Sequence, residues 1–406
     1  MFAPLRLHSF RHLLAAYGVS QLGDWAGEVA LAVAVFAMTG SALAVAATWL
    51  VHRCLAALAA PVLVAHLEDR PRGRLLATLC VVQAAIFVAL AVMVAADVAL
   101  VAMLALLAVD GVLAPVARAL SRSSVVTVTQ QADLHHEGNA LINLVFTVNG
   151  IAAPALGGLL VAVVQPAAAL LMDAATFLLA AGALVSAHLP HSDRTPVASG
   201  NALTRLRAGV RYVRSQPVLA EMLATDAALA ALMAMILPIE VVFVTGTLGA
   251  GDSALGAVLT AWGAGMVVGG LLLAQLRRMP LPLMLASAVA ATAVGTLGMG
   301  AAQTVTAAMV GSLIGGVGNG IYGMAFVTAF QERTADAFQA RVNGLYDTLM
   351  SVAPGIGFVT GGLVATIAGP RAVYFISGAG CLAVLTATAA RLHRLDWSPA
   401  AAASAL

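Results

Sequence analysis

Apolar residues run through this chain in long blocks, and most polar residues are confined to the seams between them. A helix needs roughly 20 apolar residues to cross a bilayer. Twelve blocks reach that length, at about 13–38, 42–66, 75–95, 98–119, 138–163, 166–187, 218–245, 252–275, 280–301, 304–330, 342–368 and 371–391. The pattern predicts an all-α integral membrane protein with twelve transmembrane helices. Some seams are tight, such as Thr39-Gly40-Ser41 and Gln165-Pro166. The alternate seams are longer and carry arginine.

The longest seam runs from His188 to Pro217 and divides the chain near its middle. The sequence therefore organises as an N-terminal six-helix bundle (1–187), a central cytoplasmic linker (188–217) and a C-terminal six-helix bundle (218–406). The linker opens with Pro190, Ser192, Asp193, Thr195 and Pro196. It then mixes Leu203, Leu206, Val210, Tyr212 and Val213 with Arg205, Arg207, Arg211 and Arg214. That mixture predicts a short amphipathic helix on the membrane surface, with a solvated basic linker as the alternative.

Charge fixes the orientation. All twenty basic residues are arginine, and eighteen of them fall at the termini or in alternate seams. Arg371 lies in an opposite seam, and Arg53 lies inside an apolar block. This is the positive-inside pattern, with both termini in the cytoplasm. It predicts a multi-pass protein of the cytoplasmic membrane. Hydrophobic residues make up 61% of the chain and charged residues 9%, with mean hydropathy +0.98. Soluble domains carry about 25% charged residues, so no ordinary soluble domain is hidden here, and the arginines do not point to nucleic acid. Cys54, Cys80 and Cys381 fall in separate blocks and suggest neither a disulfide framework nor a metal site.

The absence of lysine excludes a Walker A loop and Schiff-base chemistry. No cofactor is expected, and a proton gradient is the expected energy source. An enzyme is not expected either, because no metal spacing or activated nucleophile is visible. The Gly318-Asn319-Gly320-Ile321-Tyr322-Gly323 run fits a nucleotide-loop pattern, but it lies within an apolar span without a flanking strand. Close helix packing explains it. His135-His136-Glu137 lacks zinc-protease spacing.

The two halves repeat. A shift of 204 lays Asn139 on Asn343, Leu141 on Leu345, Asn143 on Asp347 and Val148 on Val352. Gly157-Gly158-Leu159 then falls on Gly361-Gly362-Leu363. Parallel six-helix repeats with a substrate site between them are a transporter architecture.

Between the second and third blocks the chain reads Glu68-Asp69-Arg70-Pro71-Arg72-Gly73-Arg74. This resembles the Gly-x-x-x-Asp-Arg-x-Gly-Arg-Arg signature of the major facilitator superfamily. Ala65 replaces the leading glycine, and Arg72-Gly73 inverts the usual order. The resemblance implies that Asp69, with Arg70 and Arg74, latches the two halves against the start of the eleventh helix. The run Gly150 to Gly158 is similar to the superfamily's Gly-Pro-x-x-Gly-Gly antiporter motif, with Ala153 for the glycine. Pro154, Gly157 and Gly158, with Gly361 and Gly362 in the repeat, read as packing and hinge positions. Phe10-Arg11 through Asp24-Trp25, and Ala117 to Arg122, resemble the branch that includes enterobactin exporters and macrolide-efflux proteins.

Ionisable groups inside a bilayer are costly and normally face protein or a wet cavity. Tyr17, Gln21, Asp24 and Glu28 follow 4-3-4 spacing and form one polar stripe. Arg53 lies midway along the second block and Asp110 midway along the fourth. Asp24 is the first candidate for an exchanging acid, then Glu28, with Arg53 as the modulating charge. A permanently paired structural network is the alternative. Asp226 and Glu240 on the seventh block are further candidates for proton or cation binding. Asp173 reads as a packing contact and Asp347 as a helix-start charge. His52, beside Arg53, reads as a hydrogen-bonded buried histidine, with a titrating histidine as the alternative. Tyr17, Gln21, Asn143, Trp262, Asn319 and Tyr322 are candidates for the substrate cavity wall.

Together these features predict a monomeric exporter of a small lipophilic or amphipathic compound, of drug, macrolide or siderophore type, in exchange for protons. Its expected partners are that substrate, protons and the lipid bilayer. An uncoupled or importing metabolite transporter on the same fold, or a transporter-like sensor without net flux, remains the alternative.

Overall fold

The computed structural model describes residues 3–54, 72–130, 202–276, 279–335 and 338–392. Between 131 and 190 it also describes 132, 134, 137–142, 144–145, 148–149, 156, 160, 163–187 and 189. The protein is all-α, as the apolar blocks predict. Among the described residues, ten helices are long and apolar enough to cross a membrane.

The N-terminal helices are α1 (His8–Thr39), α2 (Ala42–Cys54), α3 (Arg72–Ala95), α4 (Leu100–Gln130) and α5 (Pro166–Ser186). The rest of the second block lies outside the described residues. The fifth block is described only in part, with 137–142 helical. Then follow α6 (Ala202–Ser215), α7 (Pro217–Ala234) and α8 (Ile239–Val241), which leads into a π-helical segment, Val242–Thr247. The last helices are α9 (Asp252–Gln275), α10 (Leu281–Ala301), α11 (Val305–Glu332), α12 (Gln339–Ala368) and α13 (Pro370–Leu392).

Local chemistry sets the ends. Gly40 adopts φ 60° and its N–H donates to the Phe36 carbonyl, closing α1. Proline stands at or next to the first position of α5, α7 and α10, where its missing N–H costs no helical bond. Thr304 caps α11 by accepting from the Ala307 N–H at 3.2 Å.

Three elements differ from the sequence reading. The fourth helix does not stop near 119 but continues to Gln130. Arg118 and Arg122 are therefore helical residues and not loop charges. The seventh block is not one helix. Pro238 cannot supply an N–H and opposes the carbonyl four residues back, and the chain turns at Met235–Pro238 before resuming. Asp347 is not at a helix start, because α12 begins at Gln339, two turns earlier.

The chain divides into two compact units. The first comprises Met1–Arg194 with Val244–Thr260; the second comprises Thr195–Phe243 with Ala261–Leu406. In the first unit α5 packs on α1 and α3, and α4 packs on α2 and α3. Phe10, Leu13, Leu76, Leu90, Met103, Leu107 and Leu170 are almost fully buried there. In the second unit α10 packs on α11 and α13, and α7 packs on α12 and α13. Helix α6 packs on α12. Its apolar side is therefore covered by the protein, with Tyr212 stacked on Phe338 at 4.1 Å and Val213 in a buried cluster. Arg207, Arg211 and Arg214 remain exposed. Elsewhere large apolar side chains such as Val92, Val101, Leu179, Leu271 and Ile367 face outward. Such a surface suits lipid and not water.

Candidate functional site

The polar stripe of α1 faces the interior of the first unit. Glu28 accepts from Arg53 Nε at 3.0 Å and from Arg53 Nη2, a two-pronged contact. The Arg53 guanidinium also lies 5.3 Å from the ring centres of Trp25 and Trp49. Two aromatic faces and a carboxylate thus hold one cation. Arg53 is not deeply buried, however; its side chain keeps 39% of its exposure.

His52, the neighbouring residue on α2, joins two acids. Its Nδ1 lies 3.1 Å from Glu28 Oε1, and its Nε2 lies 2.8 Å from Asp110 Oδ2. Asp110 is 1% exposed, and its other oxygen accepts from Gln83 Nε2 at 3.0 Å. One hydrogen-bonded chain therefore runs from α1 through α2 to α4 and α3. Gly111 makes it possible. A Cβ there would overlap the His52 carbonyl oxygen, so α4 approaches the α2 backbone as only glycine permits. That contact brings Asp110 onto the imidazole.

Asp24 lines a small cavity beside this chain, together with Tyr17, Gln21, Cys80, Gln83 and Arg118. Helical spacing explains the set: Cys80 and Gln83 share a face of α3, and Asp110 and Arg118 lie about two turns apart on α4. Among cations, the Arg118 charge bears most strongly on Asp24, ahead of His52. The cavity volume is about 40 Å³. Drug-sized ligands need roughly 300–1,000 Å³, whereas one water needs only about 10–15 Å³. The cavity suits water and protons.

A fourth acid completes the group. Asp173 on α5 is 1% exposed and wedged against α1. A Cβ on Gly23 or Gly27 would overlap its carboxylate oxygens. Oδ1 meets Thr176 Oγ1 at 3.3 Å, and Oδ2 has no hydrogen-bond partner. Sequence reading assigned Asp173 a packing role, and its lodging between two glycines of α1 agrees with that. The unsatisfied oxygen also places it electrostatically among Asp24, Asp110 and Glu28.

The sequence profile of the transmembrane secretion effector family matches residues 1–404. The chain belongs to that family. Its solved structural neighbours carry the major facilitator fold. A mutant form of the nucleoside transporter NupG aligns with TM-score 0.71 and 15% identity, over 95% of this chain and 99% of that one. A bacterial homologue of the human lysosomal transporter Spinster aligns with TM-score 0.71 and 14% identity, over 97% and 99%. A bacterial homologue of the iron transporter ferroportin aligns with TM-score 0.68 and 16% identity, over 95% and 98%. These identities establish the fold alone. Among curated proteins, none matches the sequence. The protein is thus a membrane transporter of major facilitator type, and its family and neighbours are transporters, not enzymes.

The second unit of this major facilitator holds its acids differently. Asp226 on α7 is 7% exposed and accepts from the Tyr322 hydroxyl at 3.0 Å, with the Tyr346 ring in the same cluster. Tyr322, Phe326, Phe330 and Tyr346 form a chain of ring contacts between 5.2 and 5.9 Å. Glu240 is 8% exposed and follows the break in the seventh block. Tyr374, 4.7 Å from Phe243 between ring centres, lies within its electrostatic reach. The buried Tyr374 hydroxyl has no hydrogen-bond partner. Arg371, the arginine in an opposite seam, donates to the Gly300 and Ala302 carbonyls at 2.7 and 2.6 Å. It caps the C-terminus of α10, where a cation opposes the helix dipole.

The structure divides the residues expected to line the substrate cavity. Tyr17 and Gln21 line the small cavity of the first unit. Trp262 packs over Gly315 and Gly316 between α9 and α11. The Asn319 amide approaches Met266 Sδ at 3.8 Å in the same seam. Tyr322 is committed to Asp226. Asn143 lies outside the described residues, as do Asp69, Arg70, Pro154, Gly157 and Gly158. Arg74 is exposed near the start of α3. Gly361 packs on the Met235 carbonyl, which a Cβ would overlap, and Gly362 is buried beside it. Gly318 and Gly320 are also helix contacts, against Thr292 and Met266.

The sequence reading singled out Glu28, Arg53 and Asp110. It did not place Arg118 or Gln83 at the site, and it kept His52 apart from it. A signal for Arg118 was present: it follows Asp110 by eight residues on an apolar stretch that a helix can continue.

Proposed function

We propose that the protein is a secondary active exporter that expels a small lipophilic or amphipathic compound in exchange for protons. The observation that carries this reading is the cluster of Asp24, Glu28 and Asp110 with His52, Arg53 and Arg118, in which Asp24 and Arg118 line a water-sized cavity. Acids facing mobile cationic partners can trade a proton for an ion pair when the helices shift. A site for protons needs no room for a drug. Substrate then binds elsewhere, and protonation biases which face of the transporter is open. The outward direction is supported by membership of a family of secretion effectors. The arginine pattern supports placement in the cytoplasmic membrane with both termini inside.

The test is flux in proteoliposomes with an imposed pH gradient, using ethidium, erythromycin and enterobactin as probes. Export of at least one probe, driven by protons moving the other way, is expected. Asp24→Asn is expected to lose that gradient-driven export while eluting as a folded species in detergent. Wild-type flux that ignores the gradient favours an uncoupled transporter. Binding of a probe without flux favours a sensor.

A further inference from the structure

Unlike Asp24, His52 touches carboxylates on two different helices at once. Both of its ring nitrogens face carboxylate oxygens, at 3.1 and 2.8 Å. A neutral imidazole has a hydrogen on one nitrogen and a lone pair on the other. With both acids ionised, that lone pair would point at a carboxylate oxygen. The geometry is satisfied only when the trio Glu28–His52–Asp110 holds one proton more than two carboxylates and a neutral ring.

We propose that His52 carries a second exchangeable proton of the first unit beside that of Asp24, held as an imidazolium between Glu28 and Asp110 and released when α2 and α4 part. This rests on the proton-coupled reading above. Among the described residues, each cation near it has a carboxylate counterpart. Arg53 shares Glu28 Oε1 with the imidazole and also holds Oε2, and Arg118 lines the cavity with Asp24. Asp173 from α5 is a fourth acid near Asp24, Asp110 and Glu28. Gln83 and Cys80 of α3, with Tyr17 and Gln21 of α1, are the neighbouring groups that add no charge. With His52 doubly protonated, Arg53, Arg118 and His52 balance Asp24, Glu28 and Asp110. Asp173 is then the remaining acid.

The release step balances. When Asp110 leaves Nε2, the Nε2–H proton passes to water, the ring becomes neutral, and Nδ1–H stays on Glu28. The exit is at hand: Gln83 touches Asp110 and also lines the water-sized cavity. The moving contact is the Gly111 crossing, where the α4 and α2 backbones meet. Histidine suits the role because a free imidazole changes charge in the neutral pH range, so losing a carboxylate partner loosens its hold on the proton.

The full-length protein labelled with ¹⁵N-histidine and ¹³C-carboxylates, in nanodiscs at neutral pH, reads this directly. One of the nine histidines is expected to show hydrogen on both nitrogens and dipolar coupling of each to a carboxylate carbon. The couplings identify His52 in the unaltered protein. A single-hydrogen ring at that position overturns the proposal. In proteoliposomes, His52→Gln is expected to lose more than about tenfold of gradient-driven ethidium or erythromycin export, and its residual flux is expected to stop varying with pH. An imidazolium together with an unaltered pH profile in His52→Gln overturns the carrier role and leaves a structural bridge. If His52→Gln does not fold, Asp110→Asn, which removes one of the two acceptors, is read in the same way. Wild-type flux that ignores the pH gradient overturns the proton-coupled reading and the carrier role with it. That outcome is distinct from gradient-driven wild-type flux that His52→Gln leaves unchanged.

Discussion

The two units bury acids by different means. In the first, Glu28 and Asp110 meet Arg53 and His52, and Asp24 faces Arg118. In the second, Asp226 meets the Tyr322 hydroxyl inside an aromatic cluster, and Glu240 stands near a tyrosine. Cations are partners whose attraction depends on the acid's charge. A phenol hydroxyl bonds a carboxylate more strongly than a carboxylic acid or an amide, by about 1 kcal/mol, but keeps an acceptor in every case. A cationic partner therefore makes a site sensitive to proton content, while a phenolic partner makes a site that holds a helix in place. On the proton-exchange proposal, coupling belongs to the first unit and packing to Asp226 in the second.

Neutralising the acids one at a time is the direct way to break this contrast. Asp24→Asn should lower gradient-driven export by about a hundredfold, equivalent to about 2.7 kcal/mol of barrier, measured as initial efflux rates in proteoliposomes. Glu28→Gln should act mostly on stability. It leaves Arg53 and His52 without their ionised acceptor, a loss of about 1.5–3 kcal/mol for charge-assisted bonds. The lower end applies because Arg53 is partly solvated. The readout is a fall in thermal midpoint in detergent. Gly111→Val should cost about 1–3 kcal/mol through overpacking against His52, with export falling alongside, since it forces apart the helices that carry the histidine and Asp110. The smallest effect is expected in the second unit. Asp226→Asn keeps an acceptor for Tyr322 and should cost about 1 kcal/mol, with export reduced less than about threefold. A loss of gradient-driven export at Asp226→Asn equal to that at Asp24→Asn would erase the difference between the units.

Much of this was legible in the order of residues, because a bilayer enforces length and polarity so strictly. The described spans fall close to their predicted bounds, for instance Leu281–Ala301 and Pro370–Leu392. The departures have local causes. The α4 extension to Gln130 passes through Arg118 and Arg122, charges that a hydropathy reading assigns to a loop although helix propensity allows them. The broken seventh block needed the steric consequence of Pro238, which composition averages away. The site itself was half legible. The 4-3-4 spacing on α1 identifies its acids, because a helix's own period places them together. Their partners come from α2, α3 and α4, and spacing within one helix says nothing about which residues face it from another. Gly111 carries that information only once the helix crossing is known. Arg371 could be recognised as an exception to the charge pattern, but its capping of α10 required the fold.

Simultaneous recording of internal pH and substrate content in the same proteoliposomes tests the central claim most directly. The account predicts that each burst of ethidium or erythromycin export by the wild-type protein brings protons inward, and that Asp24→Asn abolishes both signals together. Export that proceeds at the wild-type rate in Asp24→Asn with the same proton entry would contradict it.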